Sequence, residues 1–379
     1  KNKEVITVFD KTKPFNDLTP ITELLINDSK QLRTLAEETR VAIEVLNYAV
    51  NALPSPGILL DTLTLQEAKA SSYIENILTT NDDLYKGVVF DSYTAEAKEV
   101  VNYKDALFIG YNKYKERGII GPGDIEAINK PVNKKQGGIR KNLPNFEGDL
   151  TRIASIAADG TIDILYTPPH GEALLRTLLI DMLEFIYNDD EYPLHPLIKI
   201  ALAHYQFESI HPFRDGNGRT GRILNILFLC QKEYLSYPVL YASSYIIKNK
   251  SEYYTLLQTC KDTGEYEPII EYMLNSFKVT AKQTLEVVEG INKLLAFYSS
   301  DKFLDGIKGQ KTVLVDMMTL IFKKVYVRIS DLVEIGVHRQ TASTYLKQLE
   351  DKGLLSEERV GKEKLFKNIK LMELFEKDV

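Results

Sequence analysis

The twelve residues His211-Pro212-Phe213-Arg214-Asp215-Gly216-Asn217-Gly218-Arg219-Thr220-Gly221-Arg222 constrain this chain more than any other stretch. They hold one titratable base, a carboxylate, two glycines flanking an amide, and two arginines three positions apart. Gly216 and Gly218 permit backbone with φ > 0, so N–H groups can converge on an anion. Asp215 is a hard oxygen ligand of the kind Mg²⁺ takes beside a nucleotide's phosphates. Arg219 and Arg222 carry planar forks suited to phosphate oxygens, and His211 is the one side chain here of a type whose unperturbed pKa lies near neutrality. The apolar run that follows (Ile223, Leu224, Ile226, Leu227, Leu229) reads as a buried helix. The loop then sits at a helix N-terminus, where the macrodipole favours anions.

The rest of the chain is compatible with such a core. At 379 residues it is long enough for two or three domains. A net charge of −6 gives no global attraction to nucleic acid or anionic membrane. No apolar run approaches the roughly 18 to 20 residues of a transmembrane helix, so no membrane partner is expected. Cys230 and Cys260 form no C-x-x-C pair and read as reduced core thiols. The expected location is cytoplasmic, although a start at Lys1 leaves room for a lost leader.

Helical periodicity dominates. Leu24, Leu25, Leu32, Leu35, Val41, Ile43, Leu46 and Val50 mark a helical stretch from about Ile21 to Leu53. Further helices are expected over Leu63–Leu78, over Ala95–Lys115, and around Ile125 and Ile128 behind the Gly121-Pro122-Gly123-Asp124 cap. Gln136–Thr167 differs in kind, because its Gly137-Gly138 and Asp159-Gly160 turns among Ile-rich runs predict a β-hairpin. Helices Leu174–Tyr187 and Leu197–Ile210 follow, the second delivering His211, and a helix pair fills Ser251–Leu285 with a continuation to Tyr298. From Lys311 the pattern becomes helix, Gly336 turn, helix, then a Gly361-centred turn between β-like runs, similar to a winged helix-turn-helix.

The loop resembles the signature of the Fic (Fido-fold) family, H-P-F-x-[D/E]-G-N-G-R-x-x-R, matching all nine specified positions. The resemblance covers about residues 15–290. It implies a mainly α chain: a Fido helical core with a β-hairpin flap, followed by the winged helix-turn-helix. The expected domains are an N-terminal helical region (1–95), a catalytic core (96–300) and the C-terminal domain (310–379).

The resemblance also implies an activity, AMPylation, in which AMP passes from ATP to a Ser, Thr or Tyr hydroxyl of a protein target. His211 would be the general base, since a neutral imidazole suits that task near pH 7. Asp215 would hold Mg²⁺ on the phosphates. Gly216, Asn217 and Gly218 would supply the anion hole, leading into Thr220 and Gly221, and Arg219 and Arg222 would neutralise the β- and γ-phosphates. Phe213 reads as a core anchor. The flap, expected around Gly138–Asn145, would present the target by main-chain pairing, and an ordinary hairpin is the equal alternative. Tyr253 resembles a family position near the adenine, with a core aromatic nearly as well supported. His204, seven residues before His211, reads as a packed, hydrogen-bonded histidine rather than a metal ligand.

Ser71-Ser72-Tyr73-Ile74-Glu75-Asn76 matches the family's inhibitory pattern [S/T]-x-x-x-E-[G/N], which in that class lies on an N-terminal helix. By that resemblance Glu75 would pair with Arg222 and occupy the place of the γ-phosphate, and Asn76 stands where Gly is commoner. Two other functions remain open: removal of AMP with Glu75 orienting water, and a nucleotide-sensing DNA-binding regulator. DNA as a partner of the C-terminal domain draws little support from 13 Lys/Arg against 11 Asp/Glu over Lys311–Val379. A homodimer is left open.

Overall fold

The structure is a computed structural model that describes residues 10–53, 55–133, 138–141, 151–156, 159–307 and 309–376. It is mainly helical, with two small antiparallel sheets among the described residues.

The N-terminal stripe makes less helix than its periodicity predicts. Ile21–Glu23 form one 3₁₀ turn, and α1 spans Lys30–Asn51. Ser29 fixes that start by accepting the Leu32 N–H at 3.2 Å, an N-cap bond. Helix α2 (Gly57–Ile74) begins before Leu63 and stops short of Leu78, because Asn76 turns left-handed at φ 60°. Helix α3 (Asn81–Phe90) has no counterpart in the periodicity. Its cap was nonetheless written locally, since Thr80 Oγ1 accepts the Asp83 N–H at 3.0 Å.

Helices α4 (Ala95–Arg117) and α5 (Pro122–Val132) follow as expected, with Asp124 accepting the Gly121 N–H at 2.9 Å. The hairpin pairs β1 (Ile153–Ile156) with β2 (Ile162–Tyr166), with Ile156 opposite Ile162 across a turn that contains Asp159-Gly160. Next come α6 (Glu172–Tyr187), α7 (Pro196–Ile210), α8 (Asn217–Gln231), α9 (Ser243–Lys248), α10 (Lys250–Thr263) and α11 (Glu267–Tyr298). The C-terminal elements are α12 (Asp301–Leu304), α13 (Lys311–Lys323), β3 (Tyr326–Val327), α14 (Ile329–Glu334), α15 (Arg339–Asp351), β4 (Leu355–Val360), β5 (Glu363–Asn368) and α16 (Ile369–Glu376).

The chain forms two compact units. The first comprises the described chain up to Val41, Asn102–Pro238 and Tyr245–Lys278. Its centre is α7 packed on α8, both buried on every side, with α6 against α7 and α5 against α8. The approach is close at Gly110 of α4, where a Cβ would lie 2.4 Å from Leu227 Cδ1 and 2.8 Å from Ile128 Cδ1. Cys230 and Cys260 are free and buried here, and burial pushes their thiols up to about 12 and about 11.

The second unit holds Ala42–Val101, Val239–Ser244 and Val279–Val379. In it α13 packs on α2, and the sheet runs β3-β5-β4 with Tyr326 opposite Lys367 and Val360 opposite Glu363. α14 and α15 meet around Gly336, at φ 90°, and β4–β5 form the wing. Two α3 side chains join this sheet: Asp82 accepts the Tyr326 hydroxyl, and Lys86 pairs with Glu358. No helix among the described residues is long and apolar enough to cross a membrane.

Candidate active site

Helix α7 carries His211 to its end and stops there for a local reason. His211 is left-handed (φ 47°, ψ 58°), its N–H still bonded to Phe207 O at 2.9 Å, and Pro212 cannot continue the helix. The turn is then clasped from within. Asn217 Oδ1 accepts the Phe213 N–H at 2.9 Å while its Nδ2 donates to Phe213 O at 2.8 Å. Phe213 is fully buried beside Phe207, as a core anchor should be.

Only one of the two loop glycines uses glycine's freedom. Gly216 sits at φ 77° as the N-cap of α8, and its N–H donates to Asp215 Oδ1 at 2.7 Å. A Cβ there would meet Val132 Cγ2 at 3.0 Å and Asn129 Nδ2 at 3.1 Å. Gly218, expected to share the turn, is instead in the first turn of α8. Gly221 is a packing glycine, for a Cβ would lie 2.5 Å from Glu208 Oε1 and 3.1 Å from Phe207 Cδ1. Gly216→Ala therefore combines a left-handed alanine with a crowded Cβ. We expect it to cost about 1–3 kcal/mol, read as a lower thermal midpoint, and an unchanged midpoint would contradict the crowding.

The charged groups divide by burial. Arg219 and Arg222 are 3 % exposed, His211 is half-buried, and the Asp215 side chain is 55 % exposed. Arg219 Nη2 lies 3.5 Å from both Asp215 oxygens. A helix N-terminus, two buried guanidinia and one exposed carboxylate thus share one loop, an arrangement that can hold a polyanion.

Behind the loop is a layer of buried polar residues. His204 Nε2 bonds the Tyr253 hydroxyl at 2.8 Å and its Nδ1 meets Asn225 Nδ2 at 3.1 Å. Burial, helped by Arg222, holds the His204 pKa down to about 3, so the ring is neutral. The packed-histidine reading of His204 matches this geometry. Tyr253 is 1 % exposed, with its hydroxyl bonded to His204.

Two supports of the loop went unread in the sequence. Asn129 of α5 donates to Asp215 O at 3.0 Å and to Thr220 Oγ1 at 3.1 Å. Arg140 bonds His211 O at 2.9 Å and Pro169 O at 2.8 Å. The available signal for Asn129 is a polar residue inside the apolar stripe Ile125, Ile128, Val132, all buried. Of the expected flap Gly138–Asn145, residues 142–145 lie outside the described residues.

The inhibitory segment belongs to the other unit. Ser71 is buried on α2, whereas Glu75 is exposed and is the C-cap, its N–H bonded to Ser72 O at 3.0 Å. Glu75 thus stands at the end of the helix, one turn after Ser71. Asn76 occupies the left-handed position where glycine costs least and asparagine is tolerated.

Comparison with known proteins agrees with this geometry. Residues 132–229 match the Fic/DOC family, 33–112 match the Fic/DOC family N-terminal region, and 308–371 match the C-terminal domain described as protein adenylyltransferase SoFic-like. The chain belongs to the Fic/DOC family. A protein named protein adenylyltransferase Fic from Drosophila grimshawi is 31 % identical over 66 % of this chain and 49 % of its own length. The protein of that name from Aedes aegypti is 21 % identical over 75 % of this chain and 56 % of its own. The chain thus spans about half the length of these curated relatives. Among solved structures, a Fic family protein from Desulfovibrio desulfuricans G20 aligns with TM-score 0.54 at 18 % identity, over 91 % of this chain and 98 % of that one. Fic-1 from C. elegans aligns with TM-score 0.50 at 19 % identity, over 68 % of this chain and 74 % of that one. These two likenesses concern the fold.

Proposed function

We propose that this Fic/DOC protein transfers AMP from ATP to a protein hydroxyl and that Glu75 restrains it. The observation that carries the reading is the loop itself: His211, exposed Asp215, buried Arg219 and Arg222 and the α8 N-terminus on one turn. His211 takes the proton of the attacking hydroxyl. The hydroxyl oxygen bonds to the α-phosphorus as the bond from that phosphorus to the pyrophosphate oxygen breaks. Arg219 and Arg222 hold the β- and γ-phosphates, so the leaving pyrophosphate stays neutralised. N–H groups of Asn217 and Gly218 at the α8 N-terminus face the same charge, and Thr220 and Gly221 keep α8 seated against α5 and α7.

Among the described residues no group of three or more His, Cys, Asp or Glu could hold a metal by itself. A single exposed carboxylate still fits Mg²⁺ on a nucleotide, because that ion takes one or two carboxylates and draws its other oxygens from phosphates and water. Bound there by Asp215, it would neutralise charge on the phosphates. Asp215→Ala is expected to lose most transfer, and EDTA to do the same to the unmodified chain. Full transfer in EDTA would overturn the metal's role.

Glu75 is assigned the restraint on its match to the family pattern and on its exposure at a helix end. A carboxylate that pairs with Arg222 would deny the γ-phosphate its partner. Ser71 lies buried one turn before Glu75, and the left-handed Asn76 ends that helix. Tyr253 we assign to supporting α8 through His204. The DNA reading of α15 is weaker, since Lys347 pairs with Glu350 at 2.7 Å and Lys364 with Glu357 at 2.9 Å on the wing. The functional division we adopt is 1–95, 96–300 and 310–379.

A further inference from the structure

Four successive carbonyls close the α7 end of the candidate site, and each accepts a bond from a residue of another segment. Tyr166 Oη donates to Ser209 O at 2.9 Å, and Arg140 Nη2 to Ile210 O at 3.3 Å. Arg140 Nε donates to His211 O at 2.9 Å, and the Arg140 backbone N–H to Pro212 O at 2.9 Å. The same Nη2 reaches Pro169 O at 2.8 Å, which anchors the guanidinium to the chain leaving β2. Arg140 is 5 % exposed, so water competes little for these charge-assisted bonds. A cation at this place also complements the negative end of the α7 dipole.

We propose that Arg140 is the positioning residue for His211, fixing the backbone from which the imidazole reaches the substrate. The inference rests on His211 being the base. A left-handed, non-glycine residue holds its geometry only where its surroundings over-determine it. Here the over-determination comes largely from one side chain 71 residues earlier in the chain. The bonds fall on the His211 side of the loop, ahead of the Asp215–Arg222 stretch that faces phosphate. Removing them therefore loosens the base and leaves the nucleotide grip in place. Arg140 also lies in the segment expected to start the flap, which would tie the target-holding strand to the base.

The test uses the full chain carrying Glu75→Gly, with Arg140→Met and Arg140→Lys added separately. For Arg140→Met we expect kcat to fall by about 10²-fold, the effect of a misplaced catalytic group. KM for ATP should stay within about threefold. Arg140→Lys, which keeps the charge and loses the fork, should recover part of kcat. A second readout does not depend on transfer: the His211 ring resonance in the NMR spectrum, assigned by its loss in His211→Ala. It should be single in the parent and shifted or broadened by exchange in Arg140→Met. An unchanged resonance in a folded Arg140 variant overturns the positioning role whether or not the chain transfers AMP. Equal losses in kcat and ATP binding overturn it as well, since they describe general collapse of the site. Should Arg140→Met not fold, Arg140→Lys carries the same two readouts. Absence of transfer in the Glu75→Gly parent overturns the proposed function instead, with the ring resonance still deciding the role of Arg140.

Discussion

His211→Ala is expected to lower AMP transfer by about 10²- to 10⁴-fold, the contribution of a positioned general base. ATP affinity should change little. The loss is confined to the transition state, because the proton moves only as the hydroxyl attacks. In the proposed site the nucleotide's phosphates would be held by other groups: the N-terminus of α8 and Arg219 and Arg222, both of which are buried. One structural effect has to be separated from the chemical one. His211 is left-handed at φ 47°, a region that alanine enters at a cost of about 1–2 kcal/mol and asparagine enters more readily. His211→Asn should therefore keep the turn and still lose the base. Comparable loss in both variants, with thermal midpoints near the parent's, assigns the effect to proton transfer. Retention of most activity in either one would remove His211 from that role.

Glu75→Gly is expected to raise self-modification, by about 5- to 150-fold if the restraint is an ordinary coupling of 1–3 kcal/mol. On the proposed restraint the substitution deletes an anion that would compete with the γ-phosphate, and it adds nothing to the chemistry. Its structural cost is small, because Glu75 is exposed and stands at the C-cap of α2, where the helix has already ended. Arg222→Ala should not mimic it, since in the proposed site the same guanidinium would seat the triphosphate once Glu75 is gone. The double variant should then behave like Arg222→Ala alone, the non-additivity expected when two residues share one partner. Arg222 is 3 % exposed, so its thermal midpoint must be measured beside the activity. A folded, ATP-binding Glu75→Gly chain with unchanged self-modification would sink the restraint and leave the family assignment standing. Release of AMP from a modified substrate, lost in Glu75→Ala, would favour the reverse reaction.

What the sequence made legible is local. The His211–Arg222 run announces its own geometry, because a proline, a glycine and the start of an apolar run follow one another between Pro212 and Ile223. The periodicity of α4, α6, α7 and α8 reports faces that are buried along the whole element. The start of α1 misled because Leu24 and Leu25 share the spacing of the helix that follows, while Leu25 is 84 % exposed outside it. α3 was missed although Thr80 and Asp83 spell a cap, since the stretch is short and weakly periodic. Asn129 left only a polar residue in an apolar stripe as its trace, and Arg140 left none, for another reason. They act 86 and 71 residues away from Asp215 and His211, through backbone carbonyls that every residue type possesses. A side chain that recognises a carbonyl places no demand on its partner's identity, so no motif records the pair.

The central claim is that the α-phosphate of ATP, and not the γ-phosphate, ends on the protein. It is tested most directly by giving the Glu75→Gly chain Mg²⁺ and ATP labelled either at the α- or at the γ-phosphorus, then counting label bound to protein after denaturation. The account predicts covalent label from α-labelled ATP only, with the γ-label recovered in pyrophosphate, and loss of both signals in the Glu75→Gly, His211→Ala double variant. Protein-bound label from γ-labelled ATP would identify a phosphotransfer and contradict the account, as would the absence of protein-bound label from a folded chain that binds ATP.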